Sequence, residues 1–306
     1  MNMKRLKWLS AIRRAALIAM LPLVPVHADE SIRFTITYEP SLAKDVQVGR
    51  LLLMLATRDD EEPRFLISND ADTQLIFGRN VEDWKGGETA DIDQNAIGFP
   101  LAGLSEVPPG TYHVQALLNR HRDFQLSNGK VVSLPPDRGE GQQWNRKPGN
   151  FYSRPMLIEI EQAGQGEFSV HLDQVIPEIE PPEDTEFVKH IRMKSKLLSD
   201  FWGEDIYLGA HVLLPAGYDK YPDARYPLMV FHGHFPSDFG GFRTEPPDPD
   251  LEPEYSARFN VEGYNLIQQQ EAHDFYQQWI SPGFPRFIVI EIQHPTPYYD
   301  DSYAVN

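Results

Sequence analysis

The residues best suited to chemistry lie where an apolar segment, Tyr226-Pro-Leu-Met-Val-Phe, runs into His232-Gly233. Attack on an ester carbonyl places negative charge on its oxygen, and backbone N–H groups fixed beyond a strand can stabilise that charge. Glycine allows the close backbone approach and unusual conformations that such a site needs. Taken alone, however, the His-Gly pair is better explained as the end of a strand. The chemical interpretation therefore depends on the surrounding elements.

Other side chains in the sequence raise alternatives to this interpretation. His232 and His234 form a His-x-His pair of the kind that ligates zinc, but no third ligand follows at a convincing spacing. We therefore expect no metal and no other cofactor. His211 lies in the middle of a predicted strand and is interpreted as a structural histidine of a sheet.

The nucleophile of a serine esterase normally lies in a Gly-x-Ser-x-Gly turn, and the sequence has no such string. The nearest match, Gly103-Leu-Ser105-Glu-Val107, lacks the second glycine and lies in a region of predicted strands. The chain also has no cysteine, which excludes disulfides, a thiolate nucleophile and Cys-ligated zinc. The sequence therefore contains no complete catalytic set.

The first half of the chain has the pattern of β structure. Short apolar or alternating segments separated by turn residues predict strands at residues 32–38, 51–56, 74–77, 111–118, 156–160 and 168–172. This spacing favours an immunoglobulin-like β-sandwich over residues 29–174. Residues 129–152 form a loop with Trp144, Phe151 and Tyr152, interpreted as ordinary loop packing or as a carbohydrate platform. The acidic, proline-rich residues 175–187 are predicted to be a linker.

The second half, residues 188–306, changes pattern. Strands are predicted at residues 188–197, 205–214, 226–231 and 287–292, and apolar residues at three- and four-residue steps predict a helix over 261–280. Strand, helix and strand in this order indicate an α/β sheet whose last two strands are buried parallel neighbours.

Two motifs give the second half a family resemblance: the strand end Leu213-Leu-Pro-Ala-Gly-Tyr218 and the strand-turn that ends at Gly233. Together they resemble the exported esterase branch of the α/β-hydrolases, which includes enterochelin-esterase-like and carbohydrate-esterase enzymes. The resemblance covers residues 188–306, and covers the first half only by architecture. It implies an immunoglobulin-like β-sandwich followed by an incomplete α/β-hydrolase domain, and a serine-esterase-like hydrolase acting on carboxylic esters.

The same resemblance implies roles for particular residues. The oxyanion hole would be formed at Gly233, His234 and Phe235. The loop after the last strand would bind substrate through Tyr298, Tyr299, Asp300 and Asp301, although a solvated loop explains these residues equally well. The serine, acid and histidine of the triad would follow residue 306, so we expect a truncated and inactive hydrolase.

Residues 1–28 have the pattern of a cleaved signal peptide. Lys4, Arg5, Lys7, Arg13 and Arg14 precede an apolar stretch, and Val26-His27-Ala28 is a small-residue cleavage site. The apolar stretch is too short for about 30 Å of hydrocarbon, so we expect a periplasmic or secreted protein without a membrane span. Removing these five positive charges would take the net charge from −17 to −22, which disfavours nucleic acid as a partner.

The alternative to a small-molecule or carbohydrate ester hydrolase is a protein of another class. It would be a non-catalytic exported protein that binds a carbohydrate or another protein, with a degenerate hydrolase scaffold. The strand at residues 287–292 is also expected to lie at an exposed sheet edge, through which the chain could self-associate.

Overall fold

A computed structural model describes residues 31–70, 72–126, 128–137, 143–231, 239–256, 258–293 and 297–298. The strands in this part of the chain are β1 (Arg33–Tyr38), β2 (Gln47–Ala56), β3 (Leu75–Trp84), β4 (Ala90–Ile92), β5 (Ile97–Phe99), β6 (Gly110–Arg120), β7 (Arg122–Gln125), β8 (Val131–Leu134), β9 (Phe151–Tyr152), β10 (Met156–Ile160), β11 (Glu167–Leu172), β12 (Gln174–Val175), β13 (Val188–Lys194), β14 (Tyr207–Leu213), β15 (Leu228–Phe231) and β16 (Ile288–Gln293). The helices are α1 (Lys196–Trp202) and α2 (Tyr264–Ile280).

Two sheets and a hairpin make up the first half. One sheet has the order β11-β1-β4, and the other has the order β12-β9-β6-β2-β3-β5 with β10 also paired to β6. Strands β7 and β8 form the hairpin. Both sheets contribute to one apolar core, in which Phe34 of β1 stacks on Phe168 of β11 with ring centroids 5.0 Å apart.

Strand β2 shows why its sequence is a continuous apolar run rather than an alternating one. It lies between β3 and β6, and its odd residues Leu51, Leu53 and Leu55 enter the main core. Met54, on the other face, joins a second apolar cluster with Leu117 and Ile176. Because both faces are covered between Leu51 and Ala56, no position in this part of β2 favours a polar side chain.

The second half forms a four-stranded sheet with the order β13-β14-β16-β15. The pairs β13–β14 and β14–β16 are antiparallel, whereas β15 and β16 are parallel and are connected through α2. The parallel pairing of the last two strands was predicted. Their burial was not as predicted, because all four residues of β15 are exposed.

Helix α2 is attached to this sheet mainly by Trp279, which is 1% exposed. Its indole contacts the core residues Leu213 and Val289, and Nε1 donates a hydrogen bond to the carbonyl of Leu214 at 2.9 Å. Gly263 begins the helix at φ 67°, a left-handed conformation that favours glycine.

The predicted fold class, a β-sandwich followed by an incomplete α/β-hydrolase domain, is wrong. The structure is mostly sheet, with 38% strand and 14% helix, and two helices occur in the described residues, so it lacks a helix-rich α/β-hydrolase domain. A hydrolase-type sheet needs helices on both faces. Here α1 has only seven residues, and the described residues 239–256 are turns and irregular structure instead of helix.

The predicted position of the open edge also needs correction. Strand β16 was expected at the edge, but it pairs with β14 on one side and β15 on the other. Strand β15 lies at that end of the sheet instead.

Replacing Trp279 with alanine should lower the free energy of unfolding by about 3–5 kcal/mol, because it removes a large buried ring and leaves a cavity. Phe201→Ala, at a residue 62% exposed on α1, is the matched control and should change it by about 0.5 kcal/mol or less. Urea denaturation followed by circular dichroism measures both. Equal losses in the two variants would contradict the role of Trp279.

Candidate binding surface

The predicted site residues are only partly within the described chain. Those outside the described residues are Gly233, His234, Phe235, Tyr299, Asp300 and Asp301. Tyr298 is described: its ring packs 4.7 Å from the ring of Phe124 in β7 and 5.8 Å from that of Trp202 in α1. Burial raises the pKa of its hydroxyl. Tyr298 thus connects the hairpin to α1, and its role in substrate binding stays a prediction.

The aromatic residues of the loop at 129–152 pack against the sheets. Phe151 is 1% exposed in β9, and Trp144 packs against the second apolar cluster of the first half. The guanidinium of Arg64 lies 4.3 Å from the centre of the Tyr152 ring. These contacts agree with ordinary loop packing rather than with an open platform for a carbohydrate.

Strand β15 presents an unusual surface. Leu228, Met229, Val230 and Phe231 are 62, 47, 48 and 47% exposed, and together they form a continuous apolar strand. Within the described residues its one strand neighbour is β16. Large apolar residues on a sheet edge are normally covered or replaced by charged ones, because an open edge can pair with another chain.

The hydrogen bonds of β15 define which backbone groups face this open side. The amide of Ile288 donates to the carbonyl of Pro227 at 2.9 Å. In a parallel pair, a residue bonds to the neighbours of its partner, so Met229 and Phe231 direct their N–H and C=O groups toward β16. Leu228 and Val230 therefore direct theirs away from the sheet.

A cavity of about 640 Å³ lies beside this strand, on the face of the sheet that carries α2. Its apolar side chains come from β15, β16 and α2 and from the segments next to them: Met229, Phe231, Phe239, Phe275, Phe287 and Val289. Glu291 is the one ionisable residue among those that line it in the described chain. The cavity therefore offers an apolar surface with a carboxylate at one side.

A row of polar residues crosses the same face of the sheet toward the cavity. His190 pairs with His211, His211 pairs with Glu291, and Glu291 pairs with Phe231 across successive strands. The two imidazole rings are 4.9 Å apart, and His211 is 2% exposed, as expected for a structural histidine of the sheet. Among the described residues, no group of histidines and carboxylates is placed to hold a metal ion.

Asp184 lies at the outer end of this row. Its Oδ1 accepts a hydrogen bond from the backbone amide of His190 at 2.8 Å and lies 3.3 Å from Nδ1 of the same residue. The backbone hydrogen bond is the main reason why the pKa of Asp184 is lowered, and the side chain of His190 adds to it. The row is thereby fixed to the segment that precedes β13.

A second concave surface, near α1, has different chemistry. It is lined by charged residues that form ion pairs: Lys194 with Asp205, Lys196 with Asp200, and Glu204 with Arg122 of β7. The hydrogen bond that Lys194 donates to the carboxylate of Asp205 raises the pKa of Lys194. Because these charges are mutually compensated, the surface shows no preference for a ligand of one sign.

Comparisons with known proteins add no family assignment: neither a scan of protein-family models nor a search of curated proteins returns a match to this chain. In the described residues, no helix has the length and apolar character needed to cross a membrane.

The binding surface was missed at the sequence level because the apolar run at residues 226–231 was interpreted as a buried strand. A run without alternation is typical of strands covered on both faces, and β2 follows that rule. Strand β15 has the same pattern without the cover. The shortness of the strand and the proline before it favour an edge position, and these were the available signals.

Replacing Asp184 with asparagine should destabilise the protein in a pH-dependent way. A lowered pKa in the folded state stabilises the fold above the ordinary value of 3.8, and this contribution disappears as the pH falls through the folded value. The difference in Tm between wild type and Asp184→Asn should therefore be largest above about pH 5 and shrink toward pH 3. Calorimetry across this range measures it, and an unchanged difference would contradict the assignment.

Proposed function

We propose that this chain is an exported, non-catalytic binding protein whose ligand is another polypeptide. The observation that carries the proposal is the combination of four consecutive exposed apolar residues on an edge strand with an apolar cavity beside them. Export is supported by the signal-peptide pattern of residues 1–28. Of the two functions that the sequence suggests, this proposal corresponds to the non-catalytic binding protein and not to the esterase.

The chemistry of the surface favours a polypeptide over a carbohydrate. Sugars present hydroxyl groups that need hydrogen-bonding side chains, whereas the cavity lining has one ionisable side chain and is otherwise apolar in the described chain. A polypeptide can supply both apolar side chains for the cavity and backbone groups for the open edge of β15. The aromatic residues of the loop at 129–152 pack against the sheets and form no open platform, which also favours a polypeptide over a carbohydrate.

Within these 306 residues, the serine-esterase alternative has no nucleophile motif to support it. No Gly-x-Ser-x-Gly occurs anywhere in the 306 residues, and there is no cysteine to replace the serine. A nucleophile is weak unless a neighbouring base or a lowered pKa activates it. Ser105, in the nearest string, lies in a short turn of the first half, outside the sheet that carries the cavity.

Panning a random peptide library against the purified chain tests the proposal. We expect the enriched peptides to bind with a Kd of about 1–100 μM, the range of many modest interfaces. Leu228→Lys or Val230→Lys should weaken them at least about tenfold, since a lysine on an edge strand blocks pairing and charges the apolar surface. Fluorescence anisotropy measures the affinities.

Ile97→Lys is the matched control, because Ile97 is 73% exposed on β5, an edge strand of another sheet. It should leave the affinities unchanged. Enriched peptides that bind all three variants equally, or a library that yields no binder, would contradict the proposal. So would turnover of a p-nitrophenyl ester by the same preparation at a rate above that of the heat-denatured chain.

A further inference from the structure

We infer that the polypeptide ligand binds as an added strand along β15 and that it is basic as well as apolar. This inference rests on the proposed function and adds to it the mode of pairing and the chemistry of the partner. It follows from three features of the described chain: the direction of the open backbone groups, the alternation of side chains on β15, and the distribution of charge.

The backbone of β15 supplies the pairing groups. The N–H and C=O groups of Leu228 and Val230 face away from β16, so an extended chain beside them can form ladder hydrogen bonds at the usual spacing of about 4.8 Å. A helix docked at this place would leave those groups without a partner. The geometry therefore favours an extended ligand.

The side chains of β15 supply two contact surfaces for such a strand. Met229 and Phe231 lie on the face of the cavity, and Leu228 and Val230 lie on the opposite face with Ile288 and Ile290 of β16. Successive residues of an added strand point to alternate faces. The ligand can thus bury apolar side chains on both sides of the sheet.

The negative charge of this chain indicates that the ligand is basic and that it is not a second copy of the chain. The net charge is −17, so two copies repel each other as they approach. A row of carboxylates follows the cavity residues Phe239–Gly241 along the chain, in the described segment at 239–256: Glu245, Asp248, Asp250, Glu252 and Glu254. Its one basic residue is Arg243.

This acidic segment lies on the same side of the sheet as the cavity. Its backbone is held along α2, where the amide of Asp248 donates to the side chain of Gln269 at 2.8 Å and that of Glu254 donates to Asn265 at 3.0 Å. Beside the cavity, a lysine or arginine of the ligand can lie over the Phe231 ring, whose face attracts cations.

Three fluorescent peptides test the inference. The first has five central residues, valine alternating with phenylalanine, between two pairs of lysines. The second has glutamates in place of the lysines. The third keeps the first sequence but carries N-methyl groups on its central residues, which remove the donors of the ladder and leave the side chains and charge in place.

We expect the lysine peptide to bind and the other two to bind at least about tenfold more weakly at low salt. Raising the salt from 0.05 to 0.5 M should narrow the difference between the lysine and glutamate peptides, because surface charges are then screened within a few ångströms. Leu228→Lys and Val230→Lys should each weaken the lysine peptide at least about tenfold, and Ile97→Lys should not. Circular dichroism checks that each variant is folded, and the comparison of the three peptides on wild type needs no variant at all.

The outcomes separate this inference from the proposed function. Equal binding of the methylated peptide overturns strand addition, and equal binding of the glutamate peptide overturns the basic partner. In either case a loss of binding in Leu228→Lys and Val230→Lys would leave the proposed function standing. A concentration-dependent dimer in sedimentation velocity that Val230→Lys abolishes would identify a second copy as the occupant and overturn the inference. Failure of every peptide, together with failure of the library, would overturn both.

Discussion

The second half of the structure depends on the packing of Trp279 between α2 and the four-stranded sheet. The first half has a large core to which two sheets contribute, whereas four buried residues form the centre of the core under α2: Phe187, Leu213, Trp279 and Val289. The indole hydrogen bond to Leu214 fixes the depth and direction of the helix over β14. Because α2 is fixed in this way, Phe275, one turn before Trp279, forms a wall of the apolar cavity.

The same arrangement explains why β15 is exposed. One helix covers the part of the sheet near β14 and β16, and in the described chain it does not extend over the end strand. A strand that contributes both an open backbone edge and four apolar side chains is costly for a chain on its own, since such edges invite aggregation. Another polypeptide that covers the strand, as the proposed function requires, would remove this exposed edge. The net charge of −17 keeps identical chains apart meanwhile.

Periodicity predicted much of the local structure and little of how it is assembled. The strands at residues 32–38, 156–160 and 168–172 and the helix at 261–280 match β1, β10, β11 and α2 closely, because alternation and three-to-four spacing are local signals. The short strands β4, β5, β7, β8, β9 and β12 were missed, since two to four residues carry too little of a period. The fold class was wrong because motifs at two turns were extended to a whole domain, and helix content depends on segments that the motifs do not contain. Exposure of β15 was also not predicted, since Leu228–Phe231 has the composition of a buried strand and only its shortness and the proline before it indicate an edge.

In the described part of the chain, β15 is an open edge, with alternate backbone amides directed away from β16. Amide hydrogen exchange at single-residue resolution tests this directly in the unliganded chain. The structure predicts that the amides of Met229 and Phe231 are protected by the ladder and that those of Leu228 and Val230 exchange rapidly. Protection of all four amides in the free protein would mean that another segment already covers the edge, and would contradict the account.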